Sequence, residues 1–223
     1  MKIIKLSLFT FVLAACSNLS ADNFKPMFYP EYFTGLEAVN VVKYESAKLD
    51  YDVTTSSNKN MHFSSCMQVE AVKDDDILTS EYHLLTMLRL NCIALKKYTL
   101  AGSATKTFMN ELLIDEKVNN LPATAYPYVN SYDKKTREGK NLKNYHKKLV
   151  TKISSDGAIE VETETDNLTY NIIAIGDFNG DKNLDALIRI DWHVINAFGK
   201  GSKLVLITKN STDSNFEELS LNN

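Results

Sequence analysis

The chain has 223 residues, 44% of them apolar and 24% charged, with a formal charge of −3. That mix excludes a disordered chain, because it carries enough apolar side chain to bury a core. The slight acidic excess argues against nucleic acid as a partner, as does the export signal at the start.

Residues 1–15 read as a secretory signal. Lys2 and Lys5 supply the positive region, and Ile3 to Val12 form an apolar stretch too short to span a bilayer as a mature helix. Leu13-Ala14-Ala15-Cys16 follows and resembles the lipobox of bacterial lipoproteins. The resemblance implies cleavage before Cys16, a diacylglycerol on its thiol and, through Ser17, sorting to the outer membrane. Ordinary secretion with cleavage after Ala21 is the alternative. Residues 16–30 then form a tether, and residues 31–223 a single domain. Its helical part covers about 31–130, a basic connector about 131–148, and a β part about 149–223.

With Cys16 lipidated, Cys66 and Cys92 remain as an even pair in an oxidising compartment. They are expected to form a disulfide worth roughly 3 to 4 kcal/mol, with two buried thiols as the alternative.

Leu36 to Val53 is ambiguous between helix and strand. Met61 to Val72 alternates well enough to predict a strand, broken by Asp74-Asp75-Asp76. Thr79 or Ser80 is expected to cap a helix over Glu81 to Tyr98, apolar around much of its circumference and therefore central and buried. A shorter helix is predicted from about Ala104 to Ile114, and Pro122 and Pro127 mark an extended crossing. Tyr132 to Lys148 is basic, with Lys134, Lys135, Arg137, Lys140, Lys143, Lys147 and Lys148. It reads as a solvated helix face, with an anionic lipid or acidic partner as the sharper reading.

From Leu149 onward the pattern is strands. They are predicted at Leu149 to Ile153, Ile159 to Glu164, Tyr170 to Ile175, Ala186 to Ile195, Lys203 to Thr208 and Glu217 to Leu221, with a turn at Ser155-Asp156-Gly157. Helices precede strands, so the predicted class is α+β, with the helical part packed on a meandering antiparallel sheet.

Gly176-Asp177-Phe178-Asn179-Gly180-Asp181-Lys182-Asn183-Leu184-Asp185 is the sharpest chemical signal. Side-chain oxygens fall on every second residue, at Asp177, Asn179, Asp181, Asn183 and Asp185. A hard divalent cation takes six to eight such oxygens, which points to calcium. The stretch resembles the calcium loops of FG-GAP (VCBS-type) repeats. By that resemblance Asp177, Asn179, Asp181 and Asp185 donate side-chain oxygens and Asn183 mainly its carbonyl. Lys182 stands where the family usually has glycine. A propeller needs several such blades, and no second copy occurs, so a propeller is not expected. Ile188 stands where an EF-hand needs a bidentate Glu.

No catalytic motif is present, and none of His62, His83, His146 and His193 has a partner at ligand spacing. The sequence therefore points to a non-catalytic, calcium-binding envelope lipoprotein. It would be attached to the membrane by its lipid, face the periplasm or exterior, and act on a protein partner. The alternatives are a periplasmic inhibitor or immunity-type protein, a purely structural lipoprotein, and an exported hydrolase with calcium stiffening a site near His193.

Overall fold

A computed structural model describes residues 23–37, 43–109, 118–128, 130–155 and 157–221. The signal, Cys16 and part of the tether lie outside the described residues, as does Asp156.

The architecture is α+β. Strands β1 (Met27–Phe28) and β4–β9 form one antiparallel sheet; β2 (Tyr51–Thr54) and β3 (Asn60–Phe63) form a separate hairpin. The large sheet meanders in the order β4 (Leu149–Ile153), β5 (Ile159–Thr163), β6 (Asp166–Gly176), β7 (Asp185–Val194), β8 (Lys200–Thr208), β9 (Glu217–Leu219). β1 pairs with the far end of β6, at Ile175 and Ala174, and so continues the line of β5. Phe24 is bridged to Ala104 just before it. The described chain thus begins beside the β6–β7 turn.

The central strands are apolar on both sides because both faces are covered. On one face Leu168, Tyr170, Ile188, Ile190 and Val205 pack under Leu121, Ala125, Tyr126 and Leu142 of the segment before the sheet. On the other, Ile173, Ala174, Leu187, Leu204 and Leu206 meet Ala94 of the long helix. A register shift between Ile172 and Ala174 turns Ile173 and Ala174 toward that same helix.

The helices are α1 (Cys66–Ala71), α2 (Tyr82–Leu100), α3 (Ser131–Arg137) and α4 (Leu142–Tyr145). α2 is the buried central helix that its sequence predicts. Its second face sends Leu85, Leu88, Cys92 and Leu95 into another cluster with Phe33, Leu49, Val53, Phe63, Val69 and Ile77. Each such leucine contributes about 1.5–3 kcal/mol on burial. The predicted disulfide is present: Cys66 at the start of α1 is bonded to Cys92 within α2. Among the described residues no helix is long and apolar enough to cross a membrane.

A charged joint ties α2 to the sheet. Arg189 of β7 donates to the carbonyl of Tyr32 (2.7 Å), to Asn91 Oδ1 of α2 (2.6 Å) and to Asp191 (2.7 Å). Ser202 and Asn171 donate to the same Asp191. Every strong polar group at this joint except Asn91 Nδ2 has a partner among the described residues.

Four expectations are corrected. Met61 to Val72 is not one strand: after β3 the Ser65 hydroxyl accepts from the Gln68 amide, and α1 begins. Neither Thr79 nor Ser80 caps α2; they form a short 3₁₀ turn, and Glu81 accepts the Thr54 amide (2.5 Å). The helix expected from Ala104 is extended where it is described. Gly102 and Lys106 bridge to Asp177 and Asn183, which takes their amides out of any helix; residues 110–117 lie outside the described part. The basic stretch is two short helices broken at Gly139, where φ is 73°. Arg137 is not in water but buried.

Candidate metal loop and a second site at the far end of the sheet

The 176–185 loop joins β6 to β7. It folds by turning its own side chains back on its backbone, as Asp and Asn do in turns. Asp177 accepts from the amides of Gly180 (2.7 Å) and Lys182 (3.1 Å), Asn179 from Asp181 (3.0 Å), and Asp181 from Asn183 (2.7 Å). Gly180 adopts φ 84° and Lys182 φ 69°. The lysine thus accepts the left-handed conformation for which the calcium repeats use glycine, at a cost of about 1–2 kcal/mol. Its ammonium lies 3.7 Å from Asp177 Oδ2, so it neutralises the loop in part.

The loop is docked as well as folded. Gly102 and Asp177 exchange both backbone hydrogen bonds, and the Lys182 carbonyl accepts from Thr105 (2.9 Å) and Lys106 (3.2 Å). This docking buries Asp177 and Asp185 while Asn179 and Asp181 stay exposed.

Asp185 carries the strongest signal. It is 0% exposed; its Oδ2 accepts the Phe178 amide (3.0 Å), and its Oδ1 has no hydrogen-bond partner among the described residues. The Thr208 hydroxyl is buried nearby and likewise lacks a well-aligned partner. Burial pushes the Asp185 carboxyl up to about 6, with Asp181 and Asp177 adding to the rise and Thr208 and the Phe178 amide opposing it.

The donor types fit a hard cation: two buried carboxylates, one exposed carboxylate and two amide side chains on one tight loop. In the described geometry no three His, Cys, Asp or Glu side chains are gathered as a ligand shell. A bound ion would therefore have to draw in Asp181 and complete its shell with Asn and carbonyl oxygens. Cys66 and Cys92 are where the sequence places them, and Cys16 lies outside the described residues.

His193 lies outside both the metal loop and the cleft at the other end of the sheet. It is exposed on β7, and its Nε2 meets Asn167 Nδ2 of the paired strand at 3.3 Å. The buried histidine is His146, just after α4, in a cleft at the other end of β6 and β7. That cleft gathers Tyr126, Arg137, His146, Glu164, Asp166 and Trp192 from five separate segments. Linear spacing carried no signal for it beyond the aromatic and basic character of the connector. No family model, curated protein or solved structure matches this chain.

Proposed function

We propose that the chain is a non-catalytic, calcium-binding protein of the cell envelope, which presents a surface fixed by the 176–185 loop to a protein partner. The observation that carries the calcium assignment is the fully buried Asp185 carboxyl, whose Oδ1 has the Thr208 hydroxyl nearby but no well-aligned hydrogen bond among the described residues. An unpaired buried carboxylate oxygen is costly, and a cation at the loop mouth relieves that cost. Asp177, Asn179, Asp181 and Asp185 would hold the ion through side chains, and Asn183 through its carbonyl. The ion would supply positive charge and rigidity and carry out no reaction. Export, Cys16 lipidation and outer-membrane sorting enter this reading from the sequence alone.

The loop and the cleft lie at opposite ends of β6. Ten residues at about 3.3 Å each separate them by about 30 Å. A hydrolase in which calcium orients substrate in that cleft therefore finds no support in the geometry.

The test is calorimetric titration of residues 17–223 with calcium after chelation, alongside Asp181→Ala, whose exposed side chain leaves the fold intact. Saturable binding, lost in the variant, is expected. Calcium at a hundred times its dissociation constant raises stability by about 2.7 kcal/mol. No heat up to about 10 mM, beyond the weak range of extracellular modules, overturns the assignment.

A further inference from the structure

The cleft at the far end of the sheet has a volume of about 660 Å³, the size of a small-ligand pocket. Arg137 forms part of its frame. The guanidinium lies 5.0 Å from the ring centres of both Tyr126 and Tyr145. It donates to the carbonyls of Tyr126 (3.0 Å) and Pro127 (2.8 Å) and to both oxygens of Asp133 (3.0 and 2.6 Å). Four of its five N–H donors are committed to the protein, so the cleft is not built for an anion.

What faces the space is rich in acceptors. Asp166 accepts from the Tyr126 hydroxyl and from Thr165 (2.6 Å). His146 packs against the Tyr126 ring, tilted by 50° with ring centres 4.4 Å apart, and holds Nδ1 3.6 Å from Glu164 Oε2. Its side chain is 4% exposed, and its Nε2 has no hydrogen-bond partner among the described residues. With the Nδ1 hydrogen toward Glu164, Nε2 is an acceptor waiting for a donor.

The wall beside these acceptors is a flat aromatic platform. Trp192 on β7 is paired with Gly201 on β8. A Cβ on Gly201 would come within 3.0 Å of the indole Cζ2, and one on Gly199 within 3.6 Å of Cζ3. Gly199-Lys200-Gly201 thus gives the indole bare backbone to lie on, and the tryptophan lines the cleft.

We propose that this cleft is a saccharide-binding site. A sugar ring stacks its apolar C–H face on Trp192, and its hydroxyls donate to His146 Nε2 and Glu164. A ligand with an apolar face and a rim of hydroxyl donors matches a flat ring beside the unpaired His146 Nε2 and the Glu164 carboxylate, one oxygen of which accepts the Lys148 amide (3.4 Å). The site is independent of the metal loop, and no bond is made or broken there.

Trp192 is the single tryptophan of the chain, so its fluorescence reports on this cleft directly. Chitotetraose, cellotetraose and maltotetraose are titrated into residues 17–223 with excess chelator, and choline serves as the cationic probe. At least one oligosaccharide is expected to shift Trp192 emission saturably below about 10 mM. His146→Leu is expected to weaken that binding tenfold or more without lowering Tm at pH 7.5, because it removes an unpaired buried acceptor. If no oligosaccharide shifts the emission, the proposal falls. It also falls if choline alone does so, since the cleft would then be a cation box. A His146→Leu variant with lowered Tm and undiminished sugar binding overturns the role of His146.

Discussion

Opening the Cys66–Cys92 bond tests how the layer beyond α2 is held. The bond joins residues 26 apart in sequence. Closing a loop of that length removes about 12 cal/mol/K from the unfolded chain, or about 3.5 kcal/mol at 25 °C. Both cysteines are fully buried, at 1% and 0% exposure, so reduction removes no side chain, and the loss is this chain contribution plus the small shift by which the two thiols move apart to non-bonded contact. Replacing both by alanine also removes the sulfur contacts and adds roughly 1–2 kcal/mol for the space left behind. At 2–4 °C per kcal/mol for a domain of this size, reduction is expected to lower Tm by about 7–14 °C. Urea unfolding with and without reductant, in chelator, measures the difference. Trp192 fluorescence reports the sheet and far-ultraviolet circular dichroism reports α2. The slope is expected to rise on reduction, because the freed chain exposes more surface. A loss below about 1 kcal/mol with coincident transitions would refute the reasoning.

Further outcomes follow from single groups. Arg189→Met leaves Asp191 without its cation and strips a donor from both Asn91 and the Tyr32 carbonyl, so thermal melts should show a loss of about 3–5 kcal/mol. Adding Asp191→Leu should recover a good part of it. Burial holds the His146 imidazole below its ordinary value, outweighing Glu164 beside it. The folded state then binds fewer protons than the unfolded one below pH about 6.5. The contribution is full above that pH and is lost as pH falls through the folded value, so the drop in Tm from pH 7.5 to 5 should be smaller in His146→Leu. Lys182→Gly relieves the positive φ and removes the ammonium 3.7 Å from Asp177. Calorimetry should show calcium bound several-fold more tightly; unchanged or weaker affinity would mean that the lysine does not compete.

The strands from Leu149 onward were readable because each holds an apolar run bounded by turn residues, and the buried helix because its apolar residues circle it; the two-residue β1 and the short β2 carried no such run. α1 was hidden by alternation in Met61 to Val72, although Ser65 and Gln68 carried a capping signal that competes with a strand. Ala104 to Met109 has helical composition, but partners far away in sequence, Phe24 and Asn183, take its backbone. Arg137 shows the same limit. Asp133 one turn earlier was a local clue, while Tyr126 and Tyr145 close over it only in the fold. In the metal loop the oxygens were legible by spacing. The orphaned oxygen of Asp185 was not, since it arises from burial beside Thr208 of β8. The cleft draws on segments remote in sequence, and no local pattern could announce it.

The placement of Phe24 has a consequence for how the molecule stands at a membrane. Phe24 is pinned to Ala104, and Pro26 lies against Gly176 at the base of the metal loop. If Cys16 carries the lipid that its lipobox implies, the eight residue steps to Phe24 reach at most about 29 Å. The ion loop would then ride near the headgroups, in the zone where anionic lipids concentrate divalent cations. The aromatic cleft would lie about 30 Å away from it, at the opposite end of β6. One end would meet the ions of the surface that carries the protein, while the other would stay clear of the tether.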